Sequence, residues 1–218
     1  MVLYKHSDGP KTNVPISTNL YSQLQRDILT GKLKSGQKLT EQVICEEYNV
    51  SRTPVREALR QLESEGLVEN ILNRGSFVVG LSRQDFEDMF ELRKLYEIQA
   101  IKWAIERITD EEMDALDETF EFMEFYTLRN DIDKMLTINE GFHQIIYDAS
   151  HNRMLKQFLS SYQTYLKYLR KDEEYPEDYL ATVLEEHRQI FKAFIEKDVE
   201  AGVEAMEKHI SNSKGRRL

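Results

Sequence analysis

The sequence is 218 residues long with 40% apolar and 31% charged positions, the balance of a globular chain with room for one large domain or two ordinary ones, and two is the expectation. No apolar run nears the roughly 18 residues of a membrane span, residues 1–14 lack the apolar centre of a secretory signal, and the single cysteine, Cys45, excludes an internal disulfide, so a cytoplasmic protein with no membrane partner is expected. The net charge of -10 argues against nucleic acid only until it is divided: residues 1–80 hold 10 Lys and Arg against 9 Asp and Glu and the rest hold 19 against 30, so any contact with phosphates belongs to the first part.

Residues 1–17 read as an N-terminal arm. From residue 18 to about residue 30, Leu20, Leu24 and Ile28 recur at helical spacing and Gly31 stops the run, which predicts a first helix. Residues 31–36 read as a turn-rich connector, after which Thr40 caps a short helix that carries Val43, Ile44 and Tyr48 and is closed by Asn49. Ser51 caps a third helix through about Glu65, with Val55, Leu59 and Leu62 inward and Gly66 as its left-handed stop. Two short helices joined by a tight turn make a helix-turn-helix. Leu67-Val68 and Ser76-Phe77-Val78-Val79 are β-rich runs around Asn73-Arg74-Gly75, and a hairpin in that place is a wing. Beyond Gly80 no strand signal remains, and five or six amphipathic helices succeed one another. Ser82 with Asp85, Thr109 with Glu112, Asn130, Asn152, Pro176 and Asp198 mark their starts. The expected fold class is mainly α: a winged helix-turn-helix with a small β-hairpin wing over residues 18–80, an all-α helical bundle over residues 81–212, and a basic tail over residues 213–218.

The informative stretch is Val50-Ser51-Arg52-Thr53-Pro54-Val55-Arg56-Glu57-Ala58-Leu59-Arg60. The second helix of a helix-turn-helix lays its N-terminal residues on base edges in the major groove, and Arg52, Thr53 and Arg56 occupy that place. Arg56, one turn beyond Arg52, has the fork for guanine O6 and N7. Ser51, Thr53 and the free first-turn N–H groups suit a phosphate, and Arg60, a further turn on, reaches the DNA backbone. An ordinary solvated helix face is the alternative reading of the same arginines. Together with Leu33-Lys34-Ser35-Gly36-Gln37-Lys38-Leu39-Thr40-Glu41 before it and Leu62-Glu63-Ser64-Glu65-Gly66-Leu67-Val68 after it, this stretch resembles the winged helix of GntR-family regulators. The resemblance implies that Arg52, Thr53 and Arg56 read double-stranded DNA and that Gly75, at the wing tip, reaches the minor groove. Many relatives carry Arg where this chain has Gln42, so its operator is expected to differ at that contact.

In the helical part, Asn139 and His143 are four residues apart and share a helix face, the usual way to present two ligands to a metal. His187 and His209 are 22 residues apart, about 33 Å on one straight helix, but a break at Lys197-Asp198 lies midway and would fold them level in an antiparallel hairpin. Spacing alone leaves a metal site and three packed histidines equally open, with His6 and His151 outside the set. The segments Phe90-Glu91-Leu92-Arg93-Lys94-Leu95-Tyr96-Glu97, Phe142-His143, Ala149-Ser150-His151-Asn152 and Glu186-His187 resemble the FadR-type C-terminal (FCD) domain of the GntR family. Many members bind a divalent metal through one Asp and three His, which match Asn139, His143, His187 and His209, with a neutral amide in place of the carboxylate. Zinc or nickel is the expected ion. In metal-using relatives the ion helps hold a carboxylate effector, and the Arg matching Arg93 pairs with that carboxylate; a surface salt bridge to Glu97, four residues on, is the alternative for Arg93. Tyr162, Tyr165 and Tyr168 read as helix packing or as cavity lining.

These readings predict a dimeric, ligand-responsive DNA-binding regulator, a repressor on a palindromic operator, with a small organic acid sensed in a C-terminal effector-binding and dimerisation domain. A metal-dependent hydrolase built on the Asn/His3 set is the competing class, and it lacks an assignable general base.

Overall fold

The computed structural model describes residues 16–168 and 175–216, which leaves most of the arm, His6, Leu169 and the acidic run at Asp172-Glu173-Glu174 outside the described residues. The chain divides into two compact units, Met1–Leu81 and Ser82–Leu218.

The first unit contains α1 (Ile16–Leu29), β1 (Lys38–Leu39), α2 (Glu41–Tyr48), α3 (Arg52–Ser64), β2 (Val68–Ile71) and β3 (Gly75–Val78). Helix α1 packs across α3, and Leu20, Leu24 and Ile28 are buried together with Val55, Leu59 and Leu62. Burial at this spacing is what makes α1 and α3 stable as short helices, since propensity alone would leave them marginal. In α2 only Ile44 is buried and Val43 is exposed, because the helix has just eight residues and offers one face to the core. Asn49 closes α2 in the left-handed region (φ 51°), which turns the chain directly into α3. Thr40 and Ser51 stand at the expected N-cap positions, yet neither side chain makes a cap hydrogen bond.

The wing is a three-stranded antiparallel sheet in the order β1-β3-β2 rather than a bare hairpin. Strand β1 lies between the stretch read as a connector and the Thr40 cap, where no strand is expected. It is two residues long, too short for an alternation to show, and exists because β3 offers a second edge, with Lys38 opposite Phe77 and Leu39 opposite Ser76. Strand β2 runs on to Ile71, past the expected Val68. The turn between β2 and β3 places Asn73 at φ 60° and Gly75 at φ 96°, the conformations for which a turn selects these residue types.

The second unit is helical throughout its described residues: α4 (Arg83–Arg107), α5 (Asp110–Leu128), α6 (Ile132–Ala149), α7 (Arg153–Tyr168), α8 (Tyr179–Glu196) and α9 (Val199–Gly215). Ser82 with Asp85 and Thr109 with Glu112 form complete capping boxes. Asn152 accepts from the Leu155 N–H and Asp198 from the Ala201 N–H, both at 3.0 Å. Asn130 is not the cap of α6. Asp131 accepts from the Lys134 N–H at 3.2 Å, and Asn130 sits one residue earlier in the left-handed turn (φ 52°). Helix α9 continues through residues 213–215 of the expected basic tail.

Helices α4, α6, α8 and α9 enclose the core, with Phe90, Ile101, Phe142, Ile146, Ile190 and Met206 fully buried, and α5 closes the bundle against α6 and α8. Tyr162 and Tyr165 on α7 are half-buried beside Leu166, and the Tyr168 side chain lies outside the described residues. One close approach sets the position of α9. A Cβ on Gly202 would overlap the Ile105 Cδ1 atom and lie 3.4 Å from Ala193 Cβ, so the glycine lets α9 lie tight against α4 and α8. Gly202→Val is expected to lower the unfolding free energy of the helical unit by about 1–3 kcal/mol through overpacking, measured by chemical denaturation; unchanged stability would show that α9 is loosely seated.

Candidate functional site

The exposed face of α3 carries Arg52, Thr53, Arg56 and Arg60, on the side opposite buried Val55, Ala58, Leu59 and Leu62. Pro54 fits because it lies in the first turn, where its missing N–H has no helical partner. Arg56 donates from Nε to Glu41 at 2.8 Å across the two helices of the motif, an exposed pair that orients the guanidinium at low energetic cost. The start of α3 keeps its first-turn N–H groups clear of the Ser51 side chain. Gly75 sits at the wing turn as expected. The wing also holds two exposed cations that were not among the expected DNA contacts, Lys38 and Arg74, on the Phe77 ring at 6.0 and 5.7 Å from its centroid. Only the sheet register brings them together.

The second site lies inside the helical unit. His143 on α6, His187 on α8 and His209 on α9 are all buried, and one nitrogen from each falls within 4.8 Å of the others. The α8–α9 hairpin does what the Lys197-Asp198 break implied: Lys197 takes the left-handed C-cap (φ 51°), Asp198 caps α9, and the His187 and His209 rings lie 4.5 Å apart. Two of the outer nitrogens have partners. His187 Nδ1 faces the Val183 carbonyl at 2.7 Å, His209 Nδ1 faces Glu186 at 2.9 Å, and His143 Nδ1 points at Glu97 Oε2 at 3.4 Å, too skewed for a formed hydrogen bond. Carbonyls and carboxylates only accept, so Nδ1 carries the proton in His187 and His209, and their Nε2 atoms keep a lone pair. His143 Nε2 and His187 Nε2 meet at 3.3 Å. Either a proton on His143 Nε2, donated to His187 Nε2, or a metal ion between the two satisfies this contact. Nitrogens each about 2.0–2.1 Å from one ion stand roughly 3.0–3.4 Å apart, so the spacing fits a metal. Asn139 lies one turn before His143, and its Oδ1 is buried without a hydrogen-bond partner, the state of a donor atom that awaits a ligand.

Arg93 and Glu97 are paired, but inside the bundle rather than on its surface. Nε of Arg93 donates to Glu97 Oε1 at 3.0 Å, and the Tyr147 hydroxyl donates to the same oxygen at 2.6 Å. Burial pushes the Glu97 carboxyl upward, yet facing His143 and Arg93 hold it below the usual carboxylate range. Burial and Glu97 drive the Tyr147 hydroxyl well above its ordinary value. Glu186 likewise resists burial through Arg216 and His209 and comes down to about 2. Glu97, Tyr147, Glu186 and Arg216 are the site residues that spacing did not reveal. Glu97 at i+4 from Arg93 and Glu186 next to His187 carried some signal, whereas Tyr147 and Arg216 carried none.

A winged helix-turn-helix followed by a separate all-helical unit defines a class, the DNA-binding transcriptional regulators. Residues 88–212 match the FCD domain and residues 16–78 match the bacterial regulatory proteins of the gntR family. The chain is 30% identical over 200 residues, 91% of its own length and 89% of the relative's, to the uncharacterized HTH-type transcriptional regulator YdhC of Bacillus subtilis strain 168. It is 26% identical over 199 residues, 90% of its length and 86% of the relative's, to the HTH-type transcriptional repressor RspR of Escherichia coli strain K12. Among solved structures, E. coli McbR/YncC superposes with a TM-score of 0.71 at 21% identity, covering 93% of this chain and 97% of that one. The chain belongs to the GntR family of transcriptional regulators, in the FadR-type group with an FCD domain. It is a DNA-binding regulator and not an enzyme, which removes the hydrolase alternative.

The buried rings also set a pH dependence. Burial, reinforced by the neighbouring rings, depresses His187 well below its ordinary value, and burial brings His209 down to about 4. Both stay neutral in the folded state and charge on unfolding, so the unfolded chain binds more protons below about pH 6.5 and stability falls as the pH falls. Chelator-treated protein is expected to lose up to about 1.4 kcal/mol per pH unit for each of these histidines between pH 6.5 and 4. A flat stability profile across that window, measured by urea unfolding, would mean that the rings are solvated.

Proposed function

We propose that this regulator is a cytoplasmic, homodimeric repressor that reads a palindromic operator through α3 and the wing and senses a small organic acid at a divalent metal. The observation that supports the metal is the convergence of one nitrogen from each of His143, His187 and His209, with the His187 and His209 rings held by acceptors on Nδ1 and the unpartnered Asn139 Oδ1 on the adjoining turn. His143, His187, His209 and Asn139 would hold the ion, and three imidazoles with one amide suit zinc or nickel. When bound, the ion supplies a positive centre for an effector carboxylate. Arg93 supports the same ligand class: Glu97 engages it through Nε, and the terminal fork of the guanidinium matches a carboxylate.

For the DNA, the open N-terminus of α3 suits a phosphate and the exposed arginines suit base edges. One such helix reads a half-site, so a twofold is needed. Leu92, Leu95, Met154 and Phe158 are exposed along adjoining α4 and α7, where Tyr96 stacks on Phe158 at 5.5 Å, and this apolar face is the one a second copy would cover. The repressor assignment follows the relative RspR, whose name describes a repressor.

Selection of bound duplexes from a random pool should return an inverted repeat. On the selected site, Arg56→Ala is expected to cost about 1–3 kcal/mol while binding to random DNA changes less. Equal losses on both would reduce Arg56 to a phosphate contact. For the sensor, His187→Ala should abolish stoichiometric zinc or nickel, and Asn139→Asp, which adds a charge opposite a dication, should slow loss to a chelator and raise the melting temperature in added metal. An Asn139→Asp protein that melts lower with and without metal would remove Asn139 from the ligand set.

A further inference from the structure

Four side-chain donors converge on Glu186, the residue immediately before His187 on α8. His209 Nδ1 reaches Oε2 at 2.9 Å and Asn212 Nδ2 reaches Oε1 at 2.8 Å, while Arg216 takes both oxygens through its two terminal nitrogens, each at 2.8 Å. Glu186 is buried, and the Arg216 side chain is 24% exposed, with its guanidinium 5.9 Å from the centroid of the Tyr179 ring at the start of α8. Arg216 caps the C-terminal end of α9, beyond residue 212, where the match to the FCD domain ends.

We infer that Arg216 is a positioning residue for the histidine site: it locks Glu186 from the end of α9, and Glu186 in turn locks the His209 ring with its Nε2 toward His143 and His187. The inference rests on the metal reading above and extends that site into the stretch that composition marks only as a basic tail. The chemistry requires a fork. Glu186 must offer one lone pair to His209 while the rest of its charge is balanced in a largely dry place, and a guanidinium that grips both oxygens fixes the plane of the carboxylate. Asn212 supplies one neutral bond and cannot balance the charge. Without Arg216 the carboxylate is held by Asn212 and His209 alone. It is then free to turn toward solvent, and the His209 proton is free to move to Nε2, which removes its inward lone pair. Lys214, two residues away, pairs with Glu91 on the exposed side of the same helix end and touches none of these groups.

The test compares full-length wild type, Arg216→Ala, Arg216→Lys and Lys214→Ala with zinc and cobalt as probes. Zinc affinity, measured by competition with a chelator, is expected to fall roughly 10–100-fold in Arg216→Ala, as for other groups that orient a metal-bound histidine. Arg216→Lys, which keeps charge and helix but loses the fork, should recover only part of that loss, and it answers the same question should Arg216→Ala fail to fold. Lys214→Ala should match wild type. The visible spectrum of cobalt-loaded protein should change in the Arg216 variants, and in metal-free protein the His209 ring should shift by nitrogen NMR from a pure Nδ1–H form to a mixture. Wild-type affinity and cobalt spectrum in the Arg216 variants would overturn the inference while leaving the metal site standing. Equal losses in Lys214→Ala would also overturn it, since helix-end stability would then be the cause. A wild-type protein that takes up neither metal overturns both readings.

Discussion

A polar group taken out of water must find a partner, and in the helical unit this rule applies at once to three imidazoles, two carboxylates, two guanidinium groups and a tyrosine hydroxyl. The arrangement is nested. His143, His187 and His209 face one another at the centre, Glu97 and Glu186 stand behind two of them, and Arg93 and Arg216 stand behind the carboxylates. Arg216 fixes the carboxylate of Glu186, and Glu186 fixes the hydrogen-bonding role of His209. Helices α4, α6, α8 and α9 each contribute to this nest, so their relative positions are determined by polar satisfaction as well as by apolar packing.

The charges explain why such a cluster can be buried at all. Each carboxylate is matched by one arginine, so the outer layers are close to neutral as pairs. The imidazoles are left without a counter-charge of their own, a state that favours neutral rings in the free chain and leaves a positive centre, once present, open to an anion.

The DNA-binding unit follows the opposite logic. Its buried residues are almost all aliphatic, and its informative side chains, Arg52, Thr53, Arg56 and Arg60, stand in water on the outer face of a helix fixed by Val55, Leu59 and Leu62. Little is spent on orienting them beyond the Glu41 contact to Arg56. Flexible cations on a rigid helix suit a surface that must meet a regular array of phosphates before it reads bases.

Local features of the chain were legible without the structure because they act over a few residues. Apolar spacing in α1 and α3, the capping boxes at Ser82 and Thr109, the left-handed Asn49 and the turn at Asn73-Arg74-Gly75 each depend on neighbours within about one helical turn or hairpin. Even the level placement of His187 and His209 could be read, since the break at Lys197-Asp198 lies midway between them. What the sequence could not determine depends on elements far apart in the chain. Strand β1 exists only because β3 offers an edge. Arg93 and Glu97 form a buried pair and not a surface one because Tyr147, 50 residues on, folds over them, and Arg216 reaches Glu186 across 30 residues. Spacing along one helix fixes which residues share a face. Which faces meet, and which proton each nitrogen carries there, is decided only when the helices pack.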